Sequence, residues 1–302
     1  MESRPRREQE GSRLAIFTQI PILIMILSLY IYPLLYSIWL SFQRLYIYES
    51  WIPTFVGFQN YIKLFFEDPL LGKLIYNSVV WVIGSNIGHF TLGLFFAILM
   101  NQKFKGRAIF RGIFFIPWVV PIVVVGIVWR WMLHPDWGLY NGILRMIGLL
   151  GEKEYIDWLG DPNFTWFSVI YVNWWKAYPF MYINFLAALQ SIPEEIIESC
   201  KIDGANAIQR FRYIVWPMIL PVSLLMLLLG TVWTFINFNM IWLLTSGGPG
   251  YETTTYAPYT YMNSFQYWRL GYGAAIGVVG LIVCLIFTVI YVWFFLRKGG
   301  EY

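Results

Sequence analysis

The chain has 302 residues, of which 58% are hydrophobic, 20% aromatic and only 13% charged, with a formal net charge of +4 at pH 7. Charged residues near a quarter are usual in soluble domains, so this composition excludes an ordinary soluble protein and indicates a polytopic membrane protein. A charge this small gives no argument for nucleic acid as a partner.

Six stretches are apolar and long enough to cross a hydrocarbon core, which takes about 20 helical residues. They lie near residues 14–42, 74–100, 107–132, 164–190, 213–245 and 271–296. The predicted fold class is therefore all-α, with six transmembrane helices in one membrane domain at 14–296, between tails at 1–13 and 297–302. Only Cys200 and Cys284 are present, so no disulfide or metal framework is expected.

The basic residues predict the orientation of these spans. Thirteen of the 21 Lys and Arg residues lie on one side of the spans, seven lie on the other, and Lys176 lies inside span four. The positive-inside rule then places both termini and the loop at 191–217 in the cytoplasm, in a multi-pass protein of the cell membrane. The arginine-rich start is interpreted as the beginning of a retained helix, because no small-residue cleavage site follows it.

Span two carries two polar residues, Asn86 and His89. A lone histidine within a membrane span is more often a packed hydrogen-bonding residue than a proton relay, so packing is the favoured interpretation of His89. The relay stays open as an alternative.

Span four carries the polar run Asn173-Trp-Trp-Lys-Ala-Tyr-Pro-Phe180, with Lys176 near the middle of the bilayer. Pro179 is expected to kink the helix and to free the carbonyl near position 175. Lys176 either pairs with a carbonyl at that kink, which is favoured, or selects a substrate with a negative group. Polar groups within a span are costly in lipid, so they mark a candidate translocation path.

The segment 191–217 is a polar, amphipathic interruption between spans four and five. Ile192, Ile196, Ile197 and Cys200 fall on one side of a predicted short helix, opposite the charged residues. Ser191 and Glu194 have the spacing of a capping box, and Asp203-Gly204 is expected to end that helix. We interpret the segment as a docking face; the alternative is a loop lying on lipid headgroups.

Span five offers Thr231, Thr234 and Asn237, spaced to share one helical face. It ends before Gly247-Gly248-Pro249-Gly250, which cannot continue a helix and predicts a sharp turn at the outer surface. Amide, hydroxyl and indole groups together suit a sugar, whose hydroxyls need donors and acceptors while its C–H face stacks on an aromatic ring.

The segment 191–217 resembles the EAA loop of permease subunits in ABC (ATP-binding cassette) importers. The match runs through Glu198, Gly204, Ile214 and Pro217, while the small residues Ser199 and Cys200 replace the two alanines. Three further stretches are similar to the carbohydrate, maltose-type group of this family. They are Tyr32-Pro-Leu-Leu-Tyr-Ser-Ile-Trp-Leu-Ser-Phe42 with Phe55-Val-Gly-Phe-Gln-Asn-Tyr61, Phe115-Ile-Pro-Trp-Val-Val-Pro121, and Phe238-Asn-Met-Ile-Trp-Leu-Leu-Thr-Ser-Gly-Gly-Pro249.

The resemblance implies a type I ABC importer permease fold, carbohydrate import and a set of site residues. The implied substrate-path residues are Trp118, Asn173, Lys176, Ala177, Tyr178, Gly230, Thr234 and Asn237. The implied contacts with an ATPase subunit are Glu194, Ile196, Ile197, Glu198, Cys200, Asp203, Gly204, Phe211 and Pro217. Asn173 and Thr234 either line the path or only bridge helices, and the two alternatives are evenly weighted.

The resemblance also implies the partners. They are a second permease subunit, two ATPase subunits that bind ATP and Mg²⁺, an extracytoplasmic sugar-binding protein, the sugar itself and the lipid bilayer. The sequence has no Gly-x-x-x-x-Gly-Lys-Ser/Thr phosphate loop, so no cofactor is expected in this chain and it is not predicted to be an enzyme. Two rival hypotheses are a scaffold half without substrate contacts and a proton-coupled secondary transporter using Lys176 and His89.

Overall fold

The computed structural model describes residues 19–299, with side chains described up to Trp293. The predicted N-terminal tail at 1–13, the start of the first predicted span at 14–18, and residues 300–302 of the predicted C-terminal tail lie outside the described residues. All the long elements of the described chain are helices, as the composition predicts.

The helices follow one another with short connections. They are α1 (Gln19–Ser41), α2 (Gln59–Ile62), α3 (Leu71–Asn101), α4 (Arg107–Val119), α5 (Ile122–Met132), α6 (Leu139–Met146), α7 (Pro162–Gln190), α8 (Glu194–Ile202), α9 (Ala207–Phe235), α10 (Asn239–Thr245), α11 (Tyr256–Tyr261) and α12 (Leu270–Gly299). Wider π-helical turns occur at Leu27–Ile31 within α1, at Lys63–Glu67 after α2, at Phe211–Val215 within α9 and at Met262–Gln266 after α11. Two short strands, β1 (Gln43–Arg44) and β2 (Thr54–Phe55), pair antiparallel with Gln43 opposite Phe55 and Arg44 opposite Thr54.

The described chain divides into two compact units. One consists of residues up to Asp68 together with Thr260–Val279. In this unit the hairpin β1–β2 follows α1, and Asn60 Nδ2 donates hydrogen bonds to the carbonyls of Ser41 (2.8 Å) and Gln43 (2.9 Å). These bonds tie the loop after α1 to the turn of α2. None of the side chains in the most apolar stretch of α1 is buried within the chain, as suits a helix facing lipid.

The other unit consists of Pro69–Tyr259 together with the chain from Gly280 onward, and it contains both hydrophobic clusters. Its most extensive helix pairing is between α3 and α7. Gly84 and Gly93 of α3 permit this approach, because a Cβ on Gly93 would lie 2.5 Å from Met181 Cβ and one on Gly84 would lie 2.7 Å from Ile170 Cδ1. Small residues at a helix interface let two membrane helices pack closely.

The predicted span at 107–132 consists of two helices rather than one continuous helix. α4 and α5 meet at an angle of 92°. Pro121 has no N–H to donate to the preceding turn, and Val120 before it has an extended backbone (φ −60°, ψ 127°), as residues before proline prefer. The chain therefore bends sharply at this point.

The predicted span at 213–245 also differs from the structure. Helix α9 begins earlier, at Ala207, and ends at Phe235, before the separate helix α10. Asn237 lies in the break, where its Oδ1 accepts a hydrogen bond from the Met240 amide at 3.2 Å. The prediction that Thr231, Thr234 and Asn237 share one helical face is therefore wrong for Asn237. The predicted turn after α10 is present, since Ser246, Gly247 and Gly250 all have positive φ.

Within residues 19–299, four helices are long and apolar enough to cross a membrane: α1, α3, α9 and α12. The number is five if α4 and α5 together form one bent span. Helix α7 is 29 residues long and continues through Pro179 without a break in its helical conformation. It carries Asn173, Lys176 and Asn184, which lower its apolar character.

Candidate transport site

A cavity of about 180 Å³ lies among α3, α7, α9 and the bend between α4 and α5. It brings together seven of the eight residues expected on the substrate path. They are Trp118, Asn173, Lys176, Ala177, Gly230, Thr234 and Asn237. These residues come from three separate segments of the sequence, and their convergence depends on the α4–α5 bend and on the break after α9.

Asn173 is buried between α7 and α3. Its Nδ2 donates to Ser85 Oγ at 2.9 Å, and its backbone carbonyl lies 3.1 Å from His89 Nε2. Asn173 thus bridges two helices and also borders the cavity. His89 is buried and hydrogen-bonded to the backbone of α7, which is the arrangement expected for a packed histidine.

The ammonium of Lys176 lies against the broken end of α4. Its Nζ donates to the carbonyls of Pro117 (3.1 Å), Trp118 (2.7 Å) and Val120 (2.8 Å), and it lies 5.5 Å from the centre of the Trp118 ring. The last carbonyls of a helix have no partner within that helix, and a cation there also complements the helix dipole. The favoured expectation placed the acceptor at the Pro179 kink of α7 itself, and the structure corrects it: the acceptors belong to the neighbouring broken helix.

Aromatic side chains form one wall of the cavity. The Trp118 ring stacks on Phe180 with centroids 5.2 Å apart, and Phe180 lies 4.9 Å from Trp233. Sequence reasoning missed Phe180 and Trp233 as lining residues. Phe180 lies one helical turn after Lys176, so helical spacing could have identified it. Trp233 directly precedes Thr234, and that spacing gives no such signal.

Gly230 of α9 packs closely against Asn86 of α3. A Cβ at this position would contact Asn86 Oδ1 and would lie 2.8 Å from Met181 Cε. Thr234, four residues further, presents its backbone carbonyl to Trp81 Nε1, which donates a hydrogen bond of 2.8 Å. The indole of Trp81 therefore fixes α9 against α3 beside the cavity.

Tyr178 is the one expected path residue that does not line the cavity. Its hydroxyl donates to the Phe114 carbonyl at 3.0 Å, and its ring belongs to the neighbouring hydrophobic cluster. Tyr178 and Asn173 both belong to α7, but Tyr178 lies on the face of that helix that points towards α4. The structure therefore gives it a packing contact with α4.

The expected coupling residues lie on α8, on the turn after it and on the first turns of α9. Gly204 has φ +80° and ends α8, as the sequence predicts, with the Ala205 amide donating to the Cys200 carbonyl at 2.9 Å. The predicted capping box at Ser191 and Glu194 is wrong: α8 begins at Glu194 after Pro193, and Ser191 Oγ donates backwards to the Ala188 carbonyl. A capping box is present instead at Asn206 and Gln209, where α9 begins.

The apolar side of α8 is divided between the interior and the surface. Ile192, two residues before α8, is buried. On α8 itself Ile197 is half-buried against the hydrophobic cluster, whereas Ile196 is exposed. Cys200 and Phe211 are half-buried as well, and Pro217 lies on the first turn of α9 beyond its π-helical turn. The two most exposed apolar residues near this loop are Ile202 (87% exposed) and Ile208 (78% exposed), and neither is among the expected ATPase contacts.

The charged side of α8 is fixed to the loop after α3. Lys103 Nζ lies 2.8 Å from Glu194 Oε1 and 3.1 Å from its Oε2. This hydrogen-bonded ammonium lowers the pKa of the Glu194 carboxyl below its usual value. Glu198 and Asp203 are exposed.

Comparisons with known proteins agree with this arrangement. Residues 89–299 match the family described as "Binding-protein-dependent transport system inner membrane component". The chain is 34% identical over 280 residues to the trehalose/maltose transport system permease protein MalF of Thermococcus litoralis, covering 90% of each protein. It is 31% identical to the sulfoquinovosyl glycerol transport system permease protein SmoG of Agrobacterium fabrum, covering 93% of this chain and 90% of that one.

A solved structure gives the same result for the fold. The chain superposes with a TM-score of 0.84 and 25% identity on a chain of a bacterial ABC transporter involved in the import of the acidic polysaccharide alginate, covering 98% of this chain and 99% of that one. The structure is thus an all-helical membrane permease fold. The chain belongs to the family of binding-protein-dependent transport system inner membrane components, and it is a multi-pass permease subunit of an ABC importer.

Proposed function

We propose that this chain forms half of the translocation pathway of a carbohydrate importer, and that the cavity at Asn173, Thr234 and Asn237 lies on that pathway. The observation that carries the proposal is the convergence of seven of the residues expected on the substrate path on one cavity. Two amides, a hydroxyl and stacked indole and phenyl rings suit a ligand with many hydroxyls and flat apolar faces. The family relatives named for trehalose/maltose and sulfoquinovosyl glycerol transport support a carbohydrate cargo.

The cargo proposed for this cavity is uncharged. A lysine ammonium has three N–H donors, and the three carbonyls of Pro117, Trp118 and Val120 accept from Lys176. The ammonium therefore has no donor left for a carboxylate or sulfonate on a substrate. Its charge is partly balanced by the negative end of the α4 dipole.

In the proposed arrangement the chain crosses the membrane six times, as a type I permease. The crossings are α1, α3, the bent pair α4–α5, α7, α9 with α10, and α12. Both termini and the loop 191–217 lie in the cytoplasm, because the Lys and Arg residues concentrate on that side. The membrane domain occupies residues 14–296, with tails at 1–13 and 297–302.

The proposed partners are a second permease subunit, two ATPase subunits that bind ATP and Mg²⁺, and an extracytoplasmic sugar-binding protein. The loop 191–217 is the proposed contact with an ATPase subunit. Its exposed residues Ile196, Glu198, Ile202 and Ile208 would enter a cleft on that subunit, and Gly204 would set the angle between α8 and α9. Closure of the ATPase dimer would then move the spans and alternate access to the cavity.

The test is cargo-stimulated ATP hydrolysis by the reconstituted complex with its binding protein, using trehalose, maltose and alginate oligosaccharides as probes. The variants are Asn173→Ala and Asn237→Ser, the latter keeping an acceptor for the Met240 amide. Asn184→Ala is the matched control, because Asn184 lies on α7 outside the cavity and its Nδ2 donates to the Phe180 carbonyl of its own helix. We expect the neutral probes to stimulate hydrolysis, and the two cavity variants to reduce that stimulation about tenfold while the control does not.

Two outcomes would favour the rival hypotheses. If neither Asn173→Ala nor Asn237→Ser changes stimulation, the chain is a scaffold half and the sister permease holds the cargo. Uptake by this chain alone, driven by a proton gradient without ATP, would establish a secondary transporter. The hydrogen bond between His89 and the α7 backbone supports a packing role over a proton relay.

A further inference from the structure

Another cavity, of about 810 Å³, lies between α8 and the facing ends of α3, α4 and α9. Its charged lining contains five basic side chains and two acidic ones, which leaves a surplus of three positive charges. The basic residues are Lys103, Arg107, Arg111, Lys201 and Arg210, and the acidic residues are Glu194 and Glu198. A concave site with this balance attracts anions.

Among the described residues, only part of this positive charge is paired with an acidic side chain. Lys103 pairs with Glu194, but Arg111 Nη2 donates to the Met100 carbonyl at 2.9 Å and Arg210 Nη1 to the Ala205 carbonyl at 2.6 Å. Backbone carbonyls orient these guanidinium groups without cancelling their charge. In addition, Arg111 Nε is buried and has no acceptor among the described residues. Buried donors normally have partners, so this one indicates a missing acceptor.

The backbone adds to the same field. Helix α4 has 13 residues and begins after Gly106, which provides no side-chain cap, so the positive end of its dipole lies beside Arg107 and Arg111. Uncapped amides at a helix start favour phosphate-like anions. Two arginines and a helix start therefore meet in one cavity, and one of these arginines, Arg111, also carries the unpaired buried donor.

The position of the cavity indicates how such an anion arrives. The lining residues come from the last turns of α3 and α7 and the first turns of α4 and α9, so the cavity lies where long helices end. Apolar side chains line it as well: Ile98, Leu189, Ile192, Ile197, Phe211 and Val215. An inorganic anion gains nothing from contact with these apolar side chains, whereas the glycerol and first acyl carbons of a lipid can pack against them.

We propose that this cavity binds the phosphate headgroup of an anionic phospholipid. Placing it at the cytoplasmic leaflet rests on the proposed orientation of the importer. Basic pockets between membrane helices on that side are suited to anionic headgroups. The lipid would link α4, the helix that ends at the Lys176 contact, to α8, the helix proposed to meet the ATPase subunit.

The test is native mass spectrometry of the purified importer complex, titrated separately with phosphatidylglycerol, phosphatidylcholine and inorganic phosphate. The variants are Arg107→Gln and Arg111→Gln. Lys105→Gln is the matched control, because Lys105 is an exposed cation in the same loop that does not line the cavity. If Arg111→Gln fails to fold for lack of its bond to Met100, Arg107→Gln keeps the test decisive, since the Arg107 side chain makes no hydrogen bond within the described residues 19–299.

We expect phosphatidylglycerol to bind in preference to phosphatidylcholine, and each arginine substitution to weaken its binding about five-fold while Lys105→Gln leaves it unchanged. An equal loss in the Lys105→Gln control would show general charge attraction and overturn the site. Binding of inorganic phosphate without retained phospholipid would overturn the lipid assignment. These measurements involve no sugar, so their result is independent of the proposed cargo.

Discussion

The ammonium of Lys176 on α7 donates a 2.8 Å hydrogen bond to the carbonyl of Val120, the residue at which α4 breaks before Pro121. The same ammonium also bonds the two preceding free carbonyls of that helix end, Trp118 and Pro117. Proline opens the helix by removing a donor, and lysine from another helix supplies three donors in its place. The bend and the lysine are therefore parts of one structural unit at the edge of the cavity.

Replacing Lys176 by Met is expected to destabilise this unit. Met has a similar length but no donor, so three carbonyls in a membrane-spanning region lose a charge-assisted partner. Hydrogen bonds to charged groups contribute about 1.5–3 kcal/mol, so we expect a loss of roughly that size at least. The measurement is the thermal unfolding midpoint of the purified complex.

The matched control for this change is Tyr178→Phe. Tyr178 also donates from α7 to a backbone carbonyl of α4, at Phe114, but it lies away from the break and outside the cavity. Its loss should cost about 1 kcal/mol. If Lys176→Met is no more destabilising than Tyr178→Phe, the ammonium does not hold the break.

Adding one methyl group at Gly230 is expected to impair transport. The new Cβ would press on Asn86 Oδ1 and on Met181 Cε, so α9 must shift outward at the cavity. Overpacking of this kind costs about 1–3 kcal/mol. The measurement is cargo-stimulated ATP hydrolysis by Gly230→Ala, beside the folded fraction of the complex.

Gly112→Ala is the control for this substitution. Gly112 lies within α4, and a Cβ there would meet nothing within 4 Å. This change should be neutral or stabilise the helix by about 0.5–1 kcal/mol, because glycine is a poor helix former. Equal cargo-stimulated hydrolysis in Gly230→Ala and wild type would show that transport does not depend on the close packing of α9 against Asn86 and Met181.

The contact between Lys103 and Glu194 should depend on pH in the acid range only. The pKa of Glu194 is lowered in the folded chain, first by the hydrogen bond and then by the charge of Lys103. The stabilisation that the ionised Glu194 gives to the folded chain is therefore complete above the unfolded pKa of about 4.3. It is lost as the pH falls through the lower pKa of the folded chain. After correction for the intrinsic rate of amide exchange, which itself rises with pH, we expect constant protection of residues 191–204 between pH 5 and 8 and lower protection below about pH 4.

Two changes check this assignment. Glu194→Gln should abolish the pH-dependent part of the opening, and high salt should weaken the contact at neutral pH because both side chains are exposed. A pH effect that persists in Glu194→Gln would assign it to another group. The neighbouring exposed Glu195 provides the control substitution Glu195→Gln, which should leave the profile unchanged.

The sequence identified the polar residues of the cavity because polar groups within apolar spans are conspicuous. Asn173, Lys176, Thr234 and Asn237 all stand out in this way, and the structure places them together. The angle between α4 and α5 could not be predicted from the sequence, although Pro121 indicates that the helix is interrupted there. The partner of Lys176 was unpredictable for the same reason, since it depends on where a separate helix lies after that bend.

Errors in the loop had a more local cause. Ser191 and Glu194 match a capping spacing, but α8 begins at Glu194 with Pro193 as its N-cap, two residues later than that spacing requires. Asn206 and Gln209 have the same spacing and do form the box. The expectation for Tyr178 rests on the resemblance alone. Helical geometry turns adjacent residues by about 100°, and the Tyr178 hydroxyl donates to the Phe114 carbonyl of α4.

The last prediction concerns Gly204, whose φ of +80° few other residues adopt. Gly204→Val introduces no clash, because nothing lies within 4 Å of the new Cβ, but a branched residue in this conformation costs about 1–2 kcal/mol. If the turn sets the angle between α8 and α9 at the ATPase contact, this strain should lower the amount of cargo moved per ATP hydrolysed. Gly148 is a matched control, with φ +75° and equally open space in the connection after α6. Gly148→Val should lose similar stability and keep normal coupling. The decisive measurement is the ratio of cargo uptake to ATP hydrolysis in proteoliposomes, and a normal ratio in Gly204→Val would contradict the role of this turn.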